Sequence, residues 1–398
     1  MSRHIYVVFD QQSSGEQIEV GELAFEKSEN KGIELAQFRY LNSYLTRQGA
    51  RAIDPVHLPL NELIVESTTL PGALNDVLPD GWGREVALKI NRVTTHNISG
   101  LIEWLSPYHI GSLAFAKRGS IPSVRSIGSP LNALAKLDFE TKKFERQAIP
   151  DISEEWALAI ASGASVGGAR RKTLVSGSDD GYLVKFQQKN DTINMPRVEH
   201  ATMRLAACAG LTVATTRVEV INGKDALFVT RFDIVKGVPC RQLLSFDTLL
   251  KGQANEYGDL ANVLIKQVST SRLAYCLEQL FRQMCINICI NNTDDHLKNF
   301  SLLRDENGWC LSPAYDLVPS LSVGEYHQMG FAYSAVPPRG EQLIAYGVNR
   351  FHLRDRKAQQ IIEEVQVAVA NWREHFIQLG VVQDDIEFLN KVIEPRLR

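Results

Sequence analysis

The sequence predicts an α+β fold in which a strand-rich half leads into a helical half, with a further small α+β unit ahead of both. Three observations predict it. Short apolar runs bounded by glycine turns fill residues 151–233, a long apolar stripe at helical spacing occupies 271–290, and the first hundred residues hold strand-like runs of their own. On this pattern 1–150 is an N-terminal subdomain with its connector, 151–233 a sheet-rich lobe and 234–398 a helical lobe.

Composition sets the outer limits. The 398 residues suggest two or three domains, at about 150 residues each. An apolar share of 44% and a charged share of 22% suffice for a sizeable core. Forty-three basic against 46 acidic residues give a net charge of −3, which argues against bulk electrostatic binding to nucleic acid. Met1 to Asp10 reads as a strand, with no apolar leader. No apolar run approaches the ~20 residues that span a bilayer, so a cytoplasmic chain without membrane contact is expected. The six cysteines contain no Cys-x2-Cys pair, and Cys285 and Cys289 are expected to pack as small apolar residues in a reducing compartment.

In chain order, Ile5–Asp10, Val20–Phe25 and Phe38–Tyr40 read as strands, Leu70–Lys89 holds a helix, and the Ser-, Pro- and charge-rich stretch 119–150 reads as a connector. Lys172–Ser176, Tyr182–Gln187, Thr215–Ile221 and Asp225–Phe232 read as strands around a helix at Arg197–Cys208. The Asn222-Gly223 pair marks one of two antiparallel hairpins. A long helix over Asp355–Leu379 presents Ile361, Ile362, Val365, Val369, Trp372, Phe376 and Leu379 on one face, and Gly380 caps it.

The stripe at 271–290 stops abruptly at Asn291-Asn292-Thr293-Asp294-Asp295, which is turn chemistry. Asn299 follows Asp294 by five positions, and Asp316 comes after one short strand. Phosphoryl transfer asks little else of a protein: a carboxylate to orient the hydroxyl and oxygen ligands to hold Mg²⁺ against the phosphates. Asp294, Asn299 and Asp316 supply that set, the layout of a kinase catalytic loop and metal-binding Asp. A helix C-terminus closed by an Asx turn is the alternative.

Ser162 to Thr173 is rich in glycine and carries Arg170-Arg171-Lys172 near its end, suited to holding phosphates on backbone N–H groups, though taken alone such a loop is more often a plain hairpin. Ala169 stands where a Walker lysine belongs. Lys185, in the apolar strand that follows, either reaches phosphates or is solvated. Glu199 is its candidate ion-pair partner, and Thr230-Arg231-Phe232-Asp233 is the expected hinge between lobes.

Together these segments resemble the HipA family, the serine/threonine kinase toxins of bacterial toxin–antitoxin pairs. The resemblance rests on Ser165 to Lys172, Tyr182 to Phe186, Val229 to Asp233, Thr293 to Ser301 and Tyr315-Asp316. In the first unit it rests on Gly21-Glu22-Leu23, Leu78-Pro79-Asp80-Gly81 with Arg84, and Gly111-Ser112-Leu113. It implies a bilobal protein-kinase-like fold with an additional N-terminal subdomain. It implies ATP and Mg²⁺ as cofactors, Asp294 as the base, and Asn299 and Asp316 as metal ligands. ATP contacts are implied at Gly167, Gly168, Ala169, Arg170, Arg171, Lys172, Lys185, Thr230, Arg231, Phe232, His296, Leu297, Lys298, Asn299 and Tyr315. It further implies autophosphorylation at Ser165, an aminoacyl-tRNA synthetase as substrate, and a HipB-like helix-turn-helix antitoxin through which DNA is met indirectly. A kinase-like co-repressor acting by complex formation is the alternative. Arg171 and Asp295 depart from the family's usual residues.

Overall fold

Alternation along the first strand puts Tyr6 and Val8 on one face and Val7 and Phe9 on the other, and all four are buried. In the computed structural model that describes this protein, that strand sits inside a five-stranded antiparallel sheet. The described residues are 4–27, 34–78, 98–103, 110–120, 127–146, 170–253, 256–322, 326–332 and 334–397, with isolated positions between. The sheet comprises β1 (His4–Gln11), β2 (Gln17–Lys27), β3 (Glu34–Tyr40), β4 (Val65–Ser67) and β5 (Leu113–Lys117), in the order β4-β3-β2-β1-β5. One face packs Tyr6, Leu23, Phe25, Phe38 and Tyr40 against Ile53 and Leu74, while Val7 and Phe9 meet Ala114 and Ala116 behind. All three early strand expectations are met. The helix expected at Leu70–Lys89 is described only as a single turn at Gly72–Asn75, and Pro79 to Arg84 lies outside the described residues.

The N-terminal motifs acquire physical reasons here. A Cβ on Gly21 would come within 2.5 Å of the Arg39 carbonyl and 2.6 Å of the Phe38 ring, so only glycine fits. The next residue, Glu22, receives Arg39 at 2.6 Å and Arg118 at 3.3 Å. Ser112 donates to the buried Asp10 at 2.5 Å, and the Gly111 N–H donates to Asp233 at 2.8 Å.

The connector expectation needs correction. Residues 134–146 form a helix, α1 (Leu134–Arg146), burying Leu134, Leu137 and Phe144. Its apolar face is narrow and diluted by charge, which hid the period. Ahead of it β6 (Ser129–Pro130) pairs parallel with β7 (Lys172–Ser176), itself antiparallel to β8 (Gly181–Phe186). These elements, with residues 230–244, belong to the first of two compact units, Met1–Phe186 and Thr230–Leu244.

The second unit, Gln187–Val229 with Ser245–Arg398, is mainly helical. It contains α2 (Met195–Cys208) and the hairpin of β9 (Thr216–Ile221) and β10 (Lys224–Thr230). Asn222 and Gly223 take φ of 50° and 76°, as a two-residue hairpin turn demands. The stripe at 271–290 forms α4 (Thr270–Cys289), preceded by α3 (Tyr257–Gln267) and followed by the hairpin of β11 (Ser301–Asp305) and β12 (Gly308–Leu311). Then come α5 (Glu341–Phe351), α6 (Asp355–Ala370), α7 (Trp372–Gln378) and α8 (Gln383–Ile393). The single long helix expected at Asp355–Leu379 is thus two, broken at Asn371. Ile361, Val365, Val369, Trp372 and Phe376 keep their spacing across the break and are all fully buried, while Ile362 and Leu379 are only half-buried, so periodicity alone reads straight through the break. No described helix is long and apolar enough to cross a membrane.

Candidate phosphoryl-transfer site

The loop after α4 is shaped by asparagines. Asn291 turns the chain at φ 58°, a left-handed conformation that asparagine tolerates better than most residues. Its side-chain amide donates to the carbonyls of Ser320 and Ser322, and Arg396 donates to its oxygen at 2.8 Å. Asn292 donates to the Asn287 side chain at 3.0 Å, and both Thr293 N–H and hydroxyl donate to Ser320. Asn291, Asn292 and Thr293 therefore each have a task in holding the turn.

The two carboxylates that follow behave oppositely. Asp295 is fully buried and accepts from Tyr257 at 2.6 Å, the His327 ring at 2.8 Å, and the N–H groups of Gln328 and Met329 at 3.0 and 3.2 Å. Asp294 has a side chain 65% exposed, with His296 4.0 Å away and Gln328 donating its amide at 2.6 Å. Desolvation raises the Asp294 carboxyl above its usual range, and the Asp316 and Asp295 charges push the same way. His296 and the Gln328 hydrogen bond oppose the rise without cancelling it. Desolvation is the largest of these causes.

Asn299 lies in a short 3-10 turn, Leu297–Asn299, and donates its amide to the Asp294 carbonyl at 2.8 Å. Tyr315 shares a hydrogen bond with Ser301 at 2.7 Å and donates to the Lys298 carbonyl at 2.9 Å, tying the loop to its following strand. Asp316 sits at φ 58°, after a segment fixed by mutual backbone bonds between Ala214, Ala314 and Thr212. The structure thus brings Asp294, His296, Leu297, Lys298, Asn299, Tyr315 and Asp316 into one loop cluster.

The remaining expected residues belong to other parts of the chain. Gly167, Gly168, Ala169, Ser162 and Ser165 lie outside the described residues. Lys172 and Lys185 stand directly opposite each other in the β7–β8 ladder, and both are buried. Cross-strand partners share a face, so two ammonium groups are committed to one small region. The Arg171 guanidinium lies 3.9 Å from Asp138, which also holds Lys142. Arg231 is buried, with its guanidinium on Asp233 at 2.6 Å and on the Ile127 carbonyl at 2.6 Å. Thr230 ends β10, and Phe232 accepts from Arg241 through its carbonyl. Glu199 is buried on α2.

Sequence reading missed Gln328, His327 and Tyr257. Nothing in their local patterns marks them, since their significance comes from what Asp294 and Asp295 reach across the fold.

Residues 164–372 match the family profile described as the HipA-like C-terminal domain, and 15–116 match that of the HipA N-terminal domain. This chain belongs to the HipA family. The solved HipA of Shewanella oneidensis MR-1, in its complex with HipB and operator DNA, superimposes with a TM-score of 0.72 at 17% identity, covering 100% of this chain and 96% of that one. The fold is therefore the mixed α+β, kinase-like fold of HipA. A curated relative, "Putative kinase Y4mE" of Sinorhizobium fredii (strain NBRC 101917 / NGR234), is 34% identical over 137 residues, 31% of this chain. The match spans 32% of that relative's length.

Proposed function

We propose that this HipA-family chain is an ATP- and Mg²⁺-dependent serine/threonine protein kinase, the toxin of a toxin–antitoxin pair. The observation that carries the reading is the single loop cluster of Asp294, Asn299 and Asp316. Asp294 is accessible, and its raised carboxyl suits a base that orients a hydroxyl and takes its proton. Asn299 uses its amide nitrogen on the Asp294 backbone, which leaves the amide oxygen as its ligand atom. With Asp316 this gives an all-oxygen donor set of the kind a hard divalent cation takes, and the mutual repulsion of Asp316 and Asp294 is what such a cation would relieve. When bound, the metal would neutralise charge on the transferring phosphoryl group.

Lys172 and Lys185, cross-strand neighbours on β7 and β8, are the proposed phosphate contacts. The hinge residues Thr230 to Phe232 would meet the nucleotide through backbone. Ser165 is the proposed autophosphorylation site, where a charge of about −1.5 to −2 would compete with the nucleotide. A small helix-turn-helix antitoxin is the proposed partner, after the assembly seen for the Shewanella protein, and an aminoacyl-tRNA synthetase the proposed substrate.

The test is intact mass and peptide mapping of the purified chain after incubation with ATP and Mg²⁺. One added phosphate at Ser165, absent from Asp294→Ala and Asp316→Ala, is the expected outcome. Phosphate transfer that persists in either variant would refute the roles assigned here.

A further inference from the structure

We propose that Gln328 is a positioning residue for the phosphoryl-transfer base, holding one oxygen of Asp294 so that the other faces the substrate hydroxyl. The inference rests on the kinase reading of Asp294. An aspartate side chain 65% exposed has several rotamers open to it, and a base with a wandering carboxylate spends little time in reactive geometry. Gln328 supplies the restraint, its amide nitrogen donating to Asp294 Oδ1 at 2.6 Å from a position 34 residues later in the chain. His296, at 4.0 Å, is beyond hydrogen-bond range of the same oxygen.

The restraint is effective because Gln328 is itself anchored. Its N–H is shared between Asp295 at 3.0 Å and the Thr293 carbonyl at 3.1 Å. Its neighbours His327 and Met329 are bound to the same Asp295 carboxylate. Two residues further on, the Gly330 carbonyl accepts from Tyr257 N–H, and the Ala332 N–H donates to Glu256 at 2.6 Å. One buried carboxylate thus fixes the backbone that aims a side chain at its sequence neighbour. An amide suits the task chemically, since it donates to a carboxylate without being able to take the proton the base must accept.

The test follows the rate of γ-phosphate loss from ATP, counting transfer to the chain and hydrolysis together, as ATP concentration is varied. Gln328→Met keeps the length without the donor, and Gln328→Glu keeps the shape but sets a second carboxylate against Asp294. Gln328 is solvent-exposed, so Gln328→Met is expected to melt as wild type does, and Gln328→Glu slightly below it at neutral pH because its carboxylate faces Asp294. The expected result is a maximal rate about tenfold lower for Gln328→Met, corresponding to a modest loss of transition-state stabilisation, and lower again for Gln328→Glu, with half-saturating ATP unchanged in both. A bulk-filling role would leave Gln328→Glu equal to wild type, and that result would overturn the inference. If wild type is active and Asp294→Ala silent while Gln328→Met keeps full rate, the positioning role falls alone. If wild type is inactive, or Asp294→Ala retains activity, the kinase reading falls and takes this inference with it.

Discussion

Replacing Asp295 with alanine tests whether the turn that carries Asp294 depends on its buried neighbouring carboxylate. Four donors converge on it: the Tyr257 hydroxyl, the His327 ring, and the Gln328 and Met329 N–H groups. Gln328 N–H keeps the Thr293 carbonyl, so three donors are stranded in the Asp295→Ala variant. A buried donor left without its acceptor costs about 1–3 kcal/mol. Three of them set a range of about 3–9 kcal/mol, reduced by water entering the vacated space and by no longer burying a charge. A net loss of about 4 kcal/mol is the working value, and for a folding unit of this size it lowers the melting temperature by about 8–16 °C. Asp295→Asn keeps an acceptor but turns an NH₂ toward Tyr257 and His327, so it should lose about half as much. The assay is thermal unfolding of the full chain by circular dichroism at neutral pH. An Asp295→Ala variant that melts with wild type would refute the reasoning, because it would mean that these hydrogen bonds contribute nothing net.

Its neighbour should respond in the opposite sense. Desolvation, with the Asp316 and Asp295 charges, makes the ionised form of Asp294 the disfavoured one in the folded chain. That penalty exists above the folded pKa and vanishes as pH falls below the unfolded value near 3.9. Asp294→Asn should therefore melt above wild type at pH 7, with the gap closing toward pH 4; an equal or lower melting point at pH 7 would contradict the assignment. Thiol labelling should divide the cysteines by burial. Cys208 is exposed and should react with iodoacetamide in the native chain, whereas Cys289, its thiol pushed up to about 12, and the buried Cys285 should react only after denaturation. Native-state labelling of Cys285 would show that α4 opens.

What the sequence made legible was whatever local patterning controls. The α4 stripe, the Asn222-Gly223 hairpin and the first three strands are each written in contiguous residues, and the Asp294, Asn299 and Asp316 spacing announced the loop cluster. The α6–α7 break was illegible because it preserves the very periodicity used to detect helices. The α1 helix was illegible because charges crowd its narrow apolar face. The Arg231 guanidinium is held by its near neighbour Asp233 and by the Ile127 carbonyl 104 positions away, and only the first of these partners lies within a window of sequence. Gln328 and Asp295 acquire their meaning from each other's position in space, which no window of sequence contains.

The bond from Arg396 to Asn291 spans 105 residues. During synthesis the helix α4 and the loop after it emerge long before the residue that holds Asn291 in its left-handed turn. Chains grow at about 5–20 residues per second, so several seconds separate the making of the catalytic loop from the arrival of this clamp. A nascent chain stalled before Arg396 carries Asp294, Asn299 and Asp316 without it. On the proposed kinase reading, an Arg396→Ala chain separates the residues of the loop from the clamp that holds their turn.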